Sequence, residues 1–232
     1  KTAYEIRLSL VGSEMCIRDR LKIYGSDLSS PANKVRFVAN YLGIQHEYKK
    51  VDLGAGEQRK PEFLQQNPFG KVPYIDDAGF CIAESGAIIK YLANKADSAI
   101  YPKGLKERAL VDQDLDFVTL HVGAAMQKVT YNRIFAPRRN IPVDQTSLVE
   151  GETFLQRFLP IIDAKLAKTS YVSGNELTIV DFSLLSVLDP AEASGVNLKS
   201  YTNITKWREN LRQQSFYTKC HKEYGESLKQ PA

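Results

Sequence analysis

The feature that most constrains this chain is a change of period at Pro102 and Gly104. Before it, extended and helical stretches alternate. Residues 21–24 alternate as a strand does, and Pro31 opens a segment whose Val35, Val38, Ala39 and Leu42 share one helical face before Gly43 closes it at the C′ position. Residues 48–53 predict a second strand, followed by a Gly-rich loop, a short helix over Pro61–Gln66 and strands at 72–75 and Phe80–Ala83. A helix carrying Ala87, Ile88, Tyr91 and Leu92 completes this half. Beyond the switch, residues 105–135, 147–168, 180 to about 193, and 204–224 all carry helical spacing. Pro160, inside the second of these, is expected to kink or split it, because proline removes one backbone bond and crowds the preceding turn. The order β-α-β, α, β-β-α, then helices alone, predicts an α/β domain over 21–99 and an all-α domain over 105–228.

Composition narrows the function. With 43% apolar and 25% charged residues the 232-residue chain is an ordinary globular sequence able to bury a sizeable core. Its richest apolar stretch, 177–188, contains Thr178, Asp181, Ser183 and Ser186, so no membrane helix is expected. The 31 basic and 27 acidic residues are scattered, which argues against a nucleic-acid partner. Cys16, Cys81 and Cys220 form neither a disulfide framework nor a C-x-x-C motif, and a reducing compartment, the cytoplasm, is expected. Cys81 is expected to be buried and inert, and Cys220 and His221 to lie at the surface. His121 has no partner at ligand spacing, so no metal site is expected. Residues 1–20 lack a starting Met and a signal-peptide core, and 9–20 resemble translated sequencing-adaptor read-through; they are expected to be a non-native or disordered tail outside the fold.

Three segments carry chemistry. They are Gly56-Glu57-Gln58-Arg59-Lys60-Pro61-Glu62-Phe63-Leu64, Asn67-Pro68-Phe69-Gly70-Lys71-Val72-Pro73 and Glu84-Ser85-Gly86-Ala87-Ile88. In this order, followed by a helical domain, they resemble the cytosolic glutathione transferase superfamily over 21 to about 228, closest to its serine-using phi and theta classes. The resemblance implies a thioredoxin-like glutathione-binding domain with four strands and three helices, joined to an all-helical electrophile-binding domain. It implies conjugation of the glutathione thiolate to electrophilic small molecules, a detoxification activity with glutathione as co-substrate and no other cofactor or metal. The alternative is a non-catalytic transferase-like binding module, of the elongation factor gamma or nitrogen-regulator kind; those usually carry an extra domain or tail.

The chemistry required is ionisation of a thiol. A free thiol with a pKa of about 8.5 needs roughly 2.7 kcal/mol of anion stabilisation to fall by two units. Ser29 lies between the first strand and the helix opened by Pro31, where a hydroxyl can meet an anion together with free N–H groups and the helix dipole. Capping that helix is an equally good reading from spacing alone; the resemblance favours Ser29 as the catalytic thiolate donor. Ser30 is the neighbouring alternative, and Tyr24 a third that fits a packed strand tyrosine better.

For glutathione, the resemblance implies that Val72 and a cis Pro73 pair with its cysteinyl unit. It implies too that Glu84 and Ser85 hold its γ-glutamyl end at a helix N-terminus, and that Gln58, Arg59 and Lys71 hold its glycine carboxylate. The electrophile pocket is expected from one face of the first long helix, at Phe117, Val122, Met126 and Thr130, although such stripes are usually core. Thr178 to Asp181 reads as a capping box with a folding role. The resemblance also implies a homodimer, with Phe69 in the loop that in the family often plugs into the partner.

Overall fold

The computed structural model describes residues 21–226. The expectations for 1–20, and for the last two residues of the helical half, lie outside them. Strand β1 (Leu21–Gly25) leads into helix α1 (Ser30–Tyr41), then β2 (His46–Lys50), a 3₁₀ turn (Glu57–Arg59), α2 (Pro61–Gln66), β3 (Tyr74–Asp77), β4 (Phe80–Ala83) and α3 (Ser85–Lys95). The sheet order is β2-β1-β3-β4. β2 runs parallel to β1, whereas β3 is antiparallel to both β1 and β4.

Local chemistry explains the boundaries. α1 ends in a Schellman closure: Gly43, at φ +67°, donates to Asn40, and Ile44 donates back to Ala39. β3 begins at Tyr74, two residues later than its apolar run suggests, because Pro73 has no N–H for the ladder and the Val72–Pro73 bond is cis. β2 stops at Lys50, short of the expected 53, because Asp52 starts a turn by accepting the Gly54 and Ala55 N–H groups on its carboxylate.

The helical half opens with α4 (Leu105–Asp116), which continues through a π segment (Phe117–Gly123), α5 (Ala124–Thr130), a second π segment (Tyr131–Phe135) and α6 (Ala136–Arg138). Then come α7 (Gln145–Leu166), α8 (Ile179–Leu188), α9 (Thr202–Arg212) and α10 (Ser215–Thr218). α7 runs through Pro160 without a break, so the split that was one of the two expected outcomes does not occur. Pro160 and Gln156, whose carbonyl loses its partner, both lie on the exposed face, where water can take the freed acceptor. The helix expected over 204–224 is two helices, separated where Gln214 takes extended backbone. α8 is shorter than expected because Pro190 follows its C-cap.

One hydrophobic core runs through both halves, from Ile23, Val35, Phe37 and Ile75 to Val122, Leu159, Phe182 and Tyr217. α1 is where they meet: Phe37 packs on Phe216 and Tyr217, and Tyr41 on Phe182. A smaller cluster of Val51, Phe63 and Tyr74 lies under the loop after β2.

At the start of α8, Asp181 is fully buried. Its carboxylate accepts from Thr178 N and Oγ1, from Val172 N and from Trp207 Nε1, at 2.9–3.2 Å. The capping box therefore ties three segments together. Among the described residues no helix is long and apolar enough to cross a membrane, and no cluster of three metal-ligating side chains occurs.

Candidate active site

Strand register gathers the three motifs at one end of the sheet. Tyr24, near the end of β1, pairs with Tyr74, the first residue of β3, and Tyr74 also pairs with Ala83, the last residue of β4. The segments that continue from these strand ends are 26–29, 72–73 and 84–85. Gly25 pairs with Lys50 at the end of parallel β2, so the loop carrying Gln58 and Arg59 leaves the same end. A reactant with charged ends and a central thiol can thus lie across one row of loops.

Ser29 is the N-cap of α1, half-buried, with its Oγ accepting the Ala32 N–H at 3.3 Å. The two sequence readings of this residue are compatible. A hydroxyl has one hydrogen and two lone pairs, and the cap uses a lone pair only. The hydrogen has no acceptor among the described residues, so it can be donated to an anion at the positive end of a twelve-residue helix. Ser30 is the first residue of the helix and also half-buried. Tyr24 stacks flat on Tyr74, with ring centroids 4.2 Å apart, as expected of a packed strand tyrosine.

Glu84 occupies the N-cap position of α3 with φ +65° and ψ 109° and makes no capping bond. Ser85 is half-buried in the first turn and does not cap the helix. A non-glycine residue in that region stores on the order of 1–3 kcal/mol and persists where the surroundings impose it, often at ligand sites. The effect here is a helix N-terminus whose first N–H groups no capping side chain consumes. Gln58 is half-buried, but its Oε1 is sealed off without a hydrogen-bond partner. Arg59 and Lys71 are exposed. The Lys71 backbone carbonyl accepts from Asn67 Nδ2 at 2.6 Å, which pins the loop ahead of the cis Val72–Pro73 bond.

Lys34 was not foreseen in the sequence. It is buried in α1, and that burial pushes its amine down to about 8, with the nearby Glu84 carboxylate opposing the fall. A signal existed: Lys34 lies four residues before Val38, on the inward face of the helix. The electrophile residues need correction. Val122, Met126 and Thr130 are 0%, 2% and 6% exposed and belong to the packed interior, so they cannot wall an open cleft. Their apolar stripe is the core stripe; only Phe117 keeps exposed ring surface, against His121 and Phe158.

Family comparison agrees with this geometry. The family model described as glutathione S-transferase, N-terminal domain, matches residues 20–94, and that of the C-terminal domain matches 117–215. The chain belongs to the glutathione S-transferase family. The transferase is 36% identical to glutathione S-transferase F10 of Arabidopsis thaliana over 146 residues, 62% of this chain and 68% of that one. It superposes on glutathione transferase F7 of Populus trichocarpa with a TM-score of 0.79 at 27% identity, covering 86% of this chain and 97% of the other. A Drosophila mojavensis homologue, solved with bound glutathione, is 30% identical with a TM-score of 0.75, over 86% of this chain and 90% of that one. These relatives make the transferase phi-like.

The transferase departs from other expectations near its C-terminal end. Cys220 and His221 are half-buried rather than at the surface. The Cys220 thiol, pushed up to about 11 by burial, accepts from Asn40, and His221 Nε2 lies 2.9 Å from Asp189 Oδ2. Cys81 is half-buried rather than buried, donates to Gln66 Oε1 at 3.1 Å, and has its thiol pushed up by burial.

Proposed function

We propose that this transferase conjugates the glutathione thiolate to hydrophobic electrophiles, with Ser29 as the thiolate donor. The observation that carries this is the Ser29 hydroxyl: it caps α1 through a lone pair and keeps its hydrogen for an anion at the helix N-terminus. Val72 and Pro73 are proposed to pair with the cysteinyl unit. Glu84 and Ser85 hold the γ-glutamyl end, where unspent N–H groups suit a carboxylate. Gln58, Arg59 and Lys71 take the glycine end; the exposed guanidinium and ammonium groups of Arg59 and Lys71 support that assignment. Glutathione is the co-substrate, and the reaction needs no metal or organic cofactor. The expected setting is the cytoplasm.

Calorimetry with glutathione, together with turnover of 1-chloro-2,4-dinitrobenzene, tests the reading. Binding and conjugation are expected together. Binding without conjugation of any soft electrophile points instead to a non-catalytic module, and no binding overturns both.

The active form is proposed to be a homodimer. Phe69 is 62% exposed at the tip of its loop, and an open groove along α7 is lined by Thr146, Val149, Thr153 and Phe154. An aromatic anchor seated in such a groove contributes about 2 kcal/mol or more to association. Phe69→Ser is therefore expected to raise the dimer dissociation constant about thirtyfold or more, read by sedimentation. A wild type that sediments as a monomer at micromolar concentration refutes the dimer; a variant that stays equally dimeric refutes the plug.

A further inference from the structure

The loop that presents Ser29 is held from both sides. Within the first half, Ser29 N donates to Ser26 O, Asn33 Nδ2 donates to Asp27 O at 2.8 Å, and the Asp27 carboxylate accepts from Arg36 and Lys50. From the other end of the chain, Tyr224 donates its hydroxyl to Leu28 O at 2.9 Å. Leu28 is the residue before Ser29, and this bond spans 196 positions of sequence. Tyr224 is itself 8% exposed. The segment that carries it is fastened to α1: Arg36 Nη2 donates to Cys220 O at 3.1 Å, and Asn40 Nδ2 to Phe216 O at 3.1 Å.

We infer that Tyr224 is a positioning residue for Ser29, fixing the plane of the Leu28–Ser29 peptide and with it the direction in which the Ser29 hydroxyl donates. The inference rests on the reading of Ser29 as thiolate donor. The physical reason is the placement of the bond. The Leu28 carbonyl and the Ser29 N–H belong to one rigid peptide plane. Ser29 N is already tied to Ser26, so Tyr224 holds the opposite side of the same plane. Release of one side lets the plane tilt about the other and carries the Ser29 side chain with it. A hydrogen bond to an anion weakens steeply as its angle departs from linear, so a tilt costs thiolate stabilisation before it costs folding.

Ultraviolet titration of the thiolate in the full-length enzyme–glutathione complex tests this, with Ser29→Ala run in parallel. Tyr224→Phe is expected to raise the bound thiol pKa by about half to one unit, leaving about three- to tenfold less thiolate below that pKa. kcat/KM at acidic pH should fall by the same factor, with little change in thermal midpoint. A chain ending at Lys222 removes the same hydroxyl by another route and should reproduce the shift. If Ser29→Ala raises the thiol pKa while Tyr224→Phe and the shortened chain leave it at the wild-type value, the inference is overturned, whatever happens to stability. If Ser29→Ala itself leaves the thiol pKa unchanged, the serine reading fails and the inference falls with it.

Discussion

Replacement of Ser29 by alanine is expected to lower kcat/KM for glutathione conjugation by one to three orders of magnitude, on the order of 1.4–4 kcal/mol, with glutathione affinity largely kept. The thiol pKa read from the pH–rate profile should rise in parallel, since the lost group acts on the anion only. Alanine also removes the cap bond to Ala32 N, which by itself costs about 1 kcal/mol of stability. Ser29→Asp separates the two roles. A carboxylate is as good a cap as a hydroxyl, so the helix should remain stable, but a charge of the same sign beside the thiolate should leave activity as low as in the alanine variant. Full activity in Ser29→Ala with loss in Ser30→Ala would move the assignment by one residue. Silence in both would refute serine activation.

The second large effect concerns stability. Asp181→Ala strands four buried donors, Val172 N, Thr178 N, Thr178 Oγ1 and Trp207 Nε1, inside a sealed core. At about 1–3 kcal/mol for each unsatisfied group, and with partial relaxation, a loss of roughly 3–5 kcal/mol follows. The thermal midpoint should fall on the order of 10 °C. The wild-type carboxyl also carries a pH signature. Burial raises it from 3.8 to about 6 in the folded chain, against the pull of its hydrogen bonds. The fold therefore holds a proton that the unfolded chain has already released, so the Asp181 contribution is fully present below about pH 4 and is lost as pH rises through about 6. Relative to a non-titrating Asp181→Asn protein, wild-type stability should decline by about 2–3 kcal/mol across that interval. A difference that instead grows with pH would show that the hydrogen bonds outweigh the burial.

Much of this architecture was legible because it is local. Pro31 and Gly43 bracket α1, Thr178 and Asp181 announce α8, and the alternation of 21–24 marks β1; each depends on neighbours within a few residues. What was illegible depends on distant partners. Cys220 and His221 look like polar residues near a terminus until Arg36, Asn40 and Asp189 are brought against them. Pro160 reads as a breaker, and its position on the wet side of α7 lets the helix run on past it. The stripe of Val122, Met126 and Thr130 shows the limit of periodicity: spacing reports that a helix has an apolar face, not whether that face meets a cleft or the interior. The π segments left no trace in the pattern. The strand-end row could be assembled from the sequence only through the family resemblance, since the cis bond at Pro73 has no local mark.

The shared core has a consequence for building hybrids. α1 belongs to the sheet by chain order, yet its Phe37 and Tyr41 are covered by Phe182, Phe216 and Tyr217 from the helical half. The boundary between the two halves is therefore a seam of interlocking rings rather than a hinge. A chimera that grafts this helical half onto the sheet of a relative inherits only one side of that seam. Its success will depend on matching three or four aromatic volumes across α1 more than on where in the Pro102–Gly104 connection the join is cut.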